Sequence, residues 1–321
     1  MSDRYGLVLA FSLKIQGNPQ NKVSGLLSTF LSKSLRPWGI LSFSLLILTG
    51  LATASTAQTR AEKPAWLEIK VPVELQNDYD YASDTSGNER NNLAVKMEPE
   101  ATFHVLPVPG LSVFAHGVLE QVADASPNED RYFKDQGFFI EDLFLRYETG
   151  LFVFRGGKMN PGFGTAWDKA PGIYGSDMAE DYEVSERIAL SGTVNADLEK
   201  LGKHAVTAGT FFLDTSSLQN TIVSKSRGTL GRADGGVSNT GDFSSFNVAV
   251  DGGEFSGAPA LQYHLGFIYQ ANGVDAAQNE KGYAAGLSNL FDLGGDMALT
   301  PLVEVVRLND QGGTANKDRT Y

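Results

Sequence analysis

From residue 67 to residue 308 apolar and polar residues alternate with a period of two, the mark of strands whose two faces meet different surroundings. Segment 67–81 sets Leu67, Ile69, Val71, Val73, Leu75, Tyr79 and Tyr81 against Glu68, Lys70, Glu74, Gln76, Asp78 and Asp80. Segment 93–105 sets Leu93, Val95, Met97, Ala101, Phe103 and Val105 against Lys96, Glu98, Glu100, Thr102 and His104. Weaker segments at 111–122, 138–148, 151–158, 187–198, 204–214, 243–251, 260–270, 283–291 and 297–308 bring the predicted strands to eleven. Their connections alternate in length. Those at 106–110, 149–150, 199–203, 252–259 and 292–296 are tight, whereas 82–92, 123–137, 159–186, 215–242 and 271–282 are long, polar and acidic.

A soluble sandwich has no reason to sort its loops this way. A barrel of the outer-membrane type does, with short turns at one rim and long loops at the other. Strands of about ten residues tilted by about 40° cross an apolar belt roughly 25 Å tall, and closure pairs the backbone groups that lipid cannot satisfy. The sequence therefore predicts an all-β fold, a transmembrane antiparallel β-barrel. Pro72, Pro99 and Pro301 each remove a ladder donor, so bulges or breaks are expected there. Single-chain bacterial barrels have even strand counts. An odd count leaves 309–321 as an outer loop, and the expectation is a barrel truncated at its C-terminus, with its closing strands missing.

The longest apolar run, residues 38–51, is too short to span a bilayer as a helix. Lys33 and Arg36 precede it and the small residues Ala52 to Ala57 follow, the pattern of a secretory signal peptide cut after Ala57. Residues 1–57 are thus expected to be a signal peptide with a long leader, and 58–321 the barrel domain. The whole chain carries 26 Lys and Arg against 38 Asp and Glu, and removing the five basic and one acidic residue of the leader leaves a formal charge of −16. That balance, without a basic cluster, excludes a nucleic-acid partner. The chain has no cysteine, which removes thiolate metal sites and cysteine nucleophiles.

Residues 151–194 contain a strand ending in Gly157-Lys158, then Asn160-Pro161-Gly162-Phe163-Gly164, then Trp167-Asp168 and the acidic run from Gly175 to Arg187. This stretch resembles bacterial outer-membrane porins, nearest the phosphate-selective porin O and P group. The resemblance implies a passive diffusion channel in the cell outer membrane, homotrimeric, for small hydrophilic solutes, with lipid around it and no cofactor. Phosphate-selective members line the channel with lysines, whereas this chain is acidic.

In trimeric porins one long loop folds back and narrows the channel, and 159–186 is the candidate here. Asp168, Asp177, Glu180, Asp181, Glu183 and Glu186 are expected at a constriction that favours cations, with Arg155, Lys158 and Arg187 opposite Asp177, Glu180, Asp181 and Glu183, setting a transverse field. The plainer alternative is a solvated outer loop. Glu68, Lys70, Glu74, Lys96, Glu98 and Glu100 are lumen candidates by strand parity, and Phe138, Phe139, Tyr147, Phe152, Phe154, Tyr263 and Tyr269 are candidates for an interfacial aromatic girdle. No enzyme is expected: His104, His116, His204 and His264 sit on separate predicted strands with no nucleophile spaced to any of them. Two other readings stand beside the channel, a ligand-specific outer-membrane receptor or adhesin and a secreted soluble β-sandwich. Val71→Arg, on the lipid-facing parity, is expected to cost about 2–4 kcal/mol and Glu74→Arg close to nothing, measured by unfolding from liposomes; equal losses would refute the parity.

Overall fold

The computed structural model describes residues 8–15, 65–80, 90–123, 126, 129–170, 174–295 and 297–321. The apolar run 38–51 and the expected cut after Ala57 lie outside them. Strands β1 (Val8–Ile15), β2 (Leu67–Lys70), β3 (Val73–Asp80), β4 (Arg90–Met97), β5 (Glu100–His104) and β6 (Leu111–Gln121) come first. The short β7 (Arg131–Tyr132) precedes β8 (Gln136–Thr149), β9 (Phe152–Met159), β10 (Arg187–Asp197) and β11 (Lys203–Leu213). After the two-residue β12 (Val223–Ser224) come β13 (Ser245–Phe255), β14 (Ala258–Gln270), β15 (Glu280–Asn289), β16 (Phe291–Gly294), β17 (Met297–Asn309) and β18 (Arg319–Thr320). Among the described residues no helix is long and apolar enough to cross a bilayer.

Each long strand pairs antiparallel with the next in sequence, giving one meandering sheet. All eleven predicted strands lie in it, two of the earliest and one of the last as broken pairs. Two of the breaks fall at prolines, and β17 runs unbroken through the third proline. Pro72 parts β2 from β3 and Pro99 parts β4 from β5, and the two interruptions sit side by side, bridged by the Glu98 N–H donating to Pro72 O at 3.2 Å. Pro301 lies in β17 between the register pairs Ser288–Leu302 and Phe291–Leu299, opposite the gap between β15 and β16.

Among the described residues the sheet is not closed. β2 and β3 have neighbours on one side only, and the far edge of β17 carries β1 and β18. The backbone of β1 runs antiparallel to Met297–Glu304, a strand that the period-two reading, beginning at residue 67, does not contain.

The two faces are inverted relative to a water-soluble sheet. One is apolar and bare: Leu265 is 51% exposed, Leu287 54%, Leu190 51% and Leu145 54%. The other carries Asn247, His264, Gln270, Glu280 and Glu304, all buried. What covers that second face is loop chain. Connections segregate as expected, because β8–β9 and β13–β14 turn within two residues at one rim while 160–186 and 214–244 spring from the other. On the bare face, Phe246, Phe267, Tyr269 and Tyr283 contact one another near the loop rim, and Phe255, Tyr263 and His204 cluster at the turn rim. Phe139 departs from the girdle expectation, being buried on the loop-covered face beneath Arg227, whose guanidinium lies 3.6 Å from its ring centroid.

Gly157 holds β9 against β8 in a conformation that a side chain cannot share. Its φ is +146°, and an added Cβ would lie 2.4 Å from the Leu143 carbonyl oxygen. Gly150, in the two-residue turn, also has positive φ but open space around it. Gly157→Ala should cost about 1–3 kcal/mol, more than Gly150→Ala, in thermal unfolding from detergent; the reverse order would contradict this packing.

Candidate functional site

Loop 160–186 lies on the loop-covered face of β13–β17, and Phe163 is its wedge. The ring is fully buried over Gly266 and Gly282; a Cβ on Gly282 would stand 2.5 Å from Phe163 Cζ. Ile268, Ala284, Val306 and Leu308 complete the apolar bed together with Met159, Ala179, Tyr182 and Val184. Asn247 Nδ2 donates to Gly162 O at 3.0 Å. Burial of these side chains supplies the adhesion, at about 25 cal/mol per Å² of apolar surface.

Position is set by Glu304 of β17, which has no exposed surface. Its carboxylate accepts four hydrogen bonds: Thr165 N–H at 2.8 Å, Thr165 Oγ1–H at 3.0 Å, Ala166 N–H at 3.0 Å and Tyr182 O–H at 2.5 Å. With every partner donating, the group acts as an acceptor only, the role of the ionised form. The backbone donors belong to the start of α1 (Ala166–Lys169), whose first amides have no partner inside so short a helix. Burial, then the Glu304 charge, push the Tyr182 hydroxyl up from its ordinary range, so it stays protonated and donating.

His264 of β14 makes a second fastening. Its Nε2 lies 3.2 Å from the Gly164 N–H and its Nδ1 2.8 Å from Asp251 Oδ1. Since a backbone N–H can only donate, Nε2 accepts and the proton sits on Nδ1, shared with Asp251. The ring is neutral in this arrangement.

At the start of the loop, Asn160 gathers carboxylates. Its Nδ2 donates to Glu141 at 3.0 Å and to Glu183 at 3.2 Å, and its Oδ1 accepts from the Glu186 N–H at 2.7 Å. Burial foremost, then the charges of Glu141, Glu180, Asp168 and Glu186, raise Glu183 to about 7. Of the predicted acids, Asp168 and Glu180 therefore act on Glu183. Asp168 is exposed on α1, Glu180 and Asp181 are exposed on the turn Glu180–Tyr182, and Asp177 is carried on the turn Tyr174–Ala179.

The predicted cations do not form a facing row. Arg155 is exposed, its guanidinium 6.0 Å from the Phe144 ring centroid. Arg187 is partly buried and donates to Ser185 O. Lys158 is buried, with Nζ 3.2 Å from Asp214 Oδ2 and donating to Leu218 O at 3.0 Å, so it fastens the 214–220 segment to the strand end. By strand parity Lys158 shares the side of Phe152 and Phe154, and Gly157 interrupts the alternation just before it. Glu186 pairs with Arg227 of the other long loop.

The lumen candidates lie together on the first strands as pairs. Lys70 meets Glu100 at 3.1 Å, Lys96 meets Glu98 at 2.9 Å, and Glu68 meets His104 at 3.2 Å; Glu74 stands in register with Lys96. Further along, the register shift between β6 and β8 sets His116 3.3 Å from Asp142 and 3.8 Å from Glu141. Glu304, His264, Tyr182, Asn160 and Glu141 are site residues that the sequence reading missed. A signal existed for two: Glu304 and His264 occupy the polar parity of strands whose opposite parity is Val303, Val305, Leu265 and Phe267.

No protein-family model and no curated protein matches this chain.

Glu304→Ala leaves Thr165, Ala166 and Tyr182 without their acceptor and should cost about 3 kcal/mol or more. The measurement is limited proteolysis alongside thermal unfolding: new cuts between residues 160 and 186 are expected, and wild-type protection would show that the apolar bed alone holds the loop.

Proposed function

We propose that the chain forms a passive diffusion channel of the bacterial outer membrane, a porin-type β-barrel wall for small hydrophilic solutes. The inversion of the sheet carries this reading: a bare apolar face turned to lipid, a polar face filled by a fastened loop, and long and short connections sorted to opposite rims. In water that bare face would be an aggregation surface far beyond what monomeric proteins expose. In a bilayer it is the face the solvent requires, and the aromatic clusters near both rims sit where interfacial girdles sit. The resemblance of residues 151–194 to the porin O and P group supports the same reading, and with it a homotrimer. No catalytic step belongs to it.

Loop 160–186 is the constriction. Its acids, gathered with Glu141, lower the energy of a passing cation and raise that of an anion. Lys158 and Arg187 are spent on Asp214, Leu218 and Ser185, which leaves Arg155 as the exposed cation of the expected three. The channel therefore prefers cations.

Reconstitution into planar bilayers is the direct test: ohmic steps without added ligand are expected, and silence until a ligand is supplied would favour a receptor. Glu183 gives the selectivity a pH dependence. Its folded pKa of about 7 lies above the ordinary carboxylate range, so rising pH ionises it within the constriction, increasing cation preference between about pH 6 and 8. The stability contribution has the opposite sense, being present at low pH and lost as pH rises through 7. Reversal potentials in a salt gradient should show this rise in wild type and a flat profile in Glu183→Gln; equal slopes would remove Glu183 from the constriction.

A further inference from the structure

Between loop and wall, toward the turn rim, is a cavity of about 550 Å³, within the range of small-molecule sites. Thr165 and Lys169 contribute to it from the loop, and β10, β11, β13, β14, β15 and β17 contribute from the sheet. Polar groups from five elements are among its lining: the Lys169 ammonium, the Asp251 carboxylate, the Asn195 and Gln262 amides and the Ser288 hydroxyl. Lys169, Asn195, Gln262 and Ser288 have no side-chain partner among the described residues, and Asp251 gives only Oδ1, to His264. Lys169 and Gln262 are exposed and Asn195 and Ser288 half-buried, so each can exchange water for a polar solute held in the cavity.

The remaining charges narrow the class of solute. Lys203 and Glu254 neutralise each other at 2.6 Å, and the neutral tautomer of His264 leaves the Asp251 charge in place. Lys169 then stands as the positive group against Asp251 and Asp197. A simple cation meets Lys169 and a simple anion meets Asp251 and Asp197; each is opposed by a lining charge of its own sign. A molecule with an ammonium at one end and a carboxylate at the other satisfies both.

We propose that this cavity binds a small zwitterion, a free amino acid or short peptide, with its ammonium at Asp251 and its carboxylate at Lys169. The amides of Asn195 and Gln262 and the Ser288 hydroxyl take the polar atoms between. As a station on a diffusion path the assignment rests on the channel reading; as a binding site it does not.

The experiment is calorimetric titration of the full chain in detergent with dialanine, N-acetyl-dialanine and dialanine amide. Dialanine should bind, and each blocked derivative should bind about tenfold or more weakly, the loss expected when one charged end is removed. Lys169→Gln should weaken dialanine by about the same factor and leave dialanine amide, which has no carboxylate, unchanged. Equal binding of all three compounds, no binding to folded protein, or an unaltered affinity in Lys169→Gln would overturn the proposal. Planar-bilayer recording separates the two readings. Conductance steps with no dialanine binding in the calorimeter remove the cavity assignment alone; dialanine binding without conductance removes the channel and keeps the cavity.

Discussion

A carboxylate with no exposed surface, Glu304, holds four donors from a loop that leaves the sheet at β9 and returns to it at β10. Ion burial is costly, and it is offset here because each acceptor position is used and the backbone donors come from a helix start. Almost everything distinctive about the site follows from that bond set. It fixes Thr165 and Ala166 on β17, which lets His264 reach the Gly164 N–H and seats Phe163 over the glycines. It also decides where α1 projects, and so where Asp168 and Lys169 stand. Without it the loop would have an apolar bed but no defined register on the wall.

The bed itself depends on the sheet turning its apolar side chains the other way. In a water-soluble fold the face holding Leu265, Leu287, Val303 and Val305 would be buried and the face holding His264 and Glu304 wet. Here the polar face is the one enclosed, and loop 160–186 supplies the enclosure. Enclosure on that side lifts Glu183 toward neutrality, since the loop removes water from a place where carboxylates already crowd. Fastening and charge are thus two results of one placement: the bonds that immobilise the loop also bring its acids against Glu141.

The strands were legible because a pleat converts a chemical alternation directly into two faces, and 67–81 or 187–198 need no distant partner to be read. Pro72 and Pro99 were legible as interruptions for the same local reason, although their alignment across the sheet was not; Pro301, expected to interrupt its strand, lies inside the unbroken β17. The site was mostly hidden. Thr165 and Glu304 are 139 residues apart, and no periodicity relates a loop to the strand it will lie on. Lys158 shows the limit of local reading: it was expected as a channel cation facing the loop acids, yet the positive φ of Gly157 breaks the alternation and Asp214, from another loop, takes its charge. The acidic run from Asp177 to Glu186 was visible as charge; its convergence with Glu141 needed the Asn160 side chain.

The same geometry lets the proposed constriction and the proposed binding cavity share one loop without merging. α1 is four residues long, and Asp168 and Lys169 are its adjacent last members. Neighbouring residues on a helix point about 100° apart. The acid is therefore turned toward the Glu183 group, whose pKa it helps to raise, while the lysine reaches the cavity that Asp251 and Ser288 line below. A solute crossing the loop would meet a negative region first and a region of both signs second. On the proposed channel reading, the first would attract positive charge and the second would retain molecules that also carry a negative end, so two selections by charge would act in sequence rather than at one place.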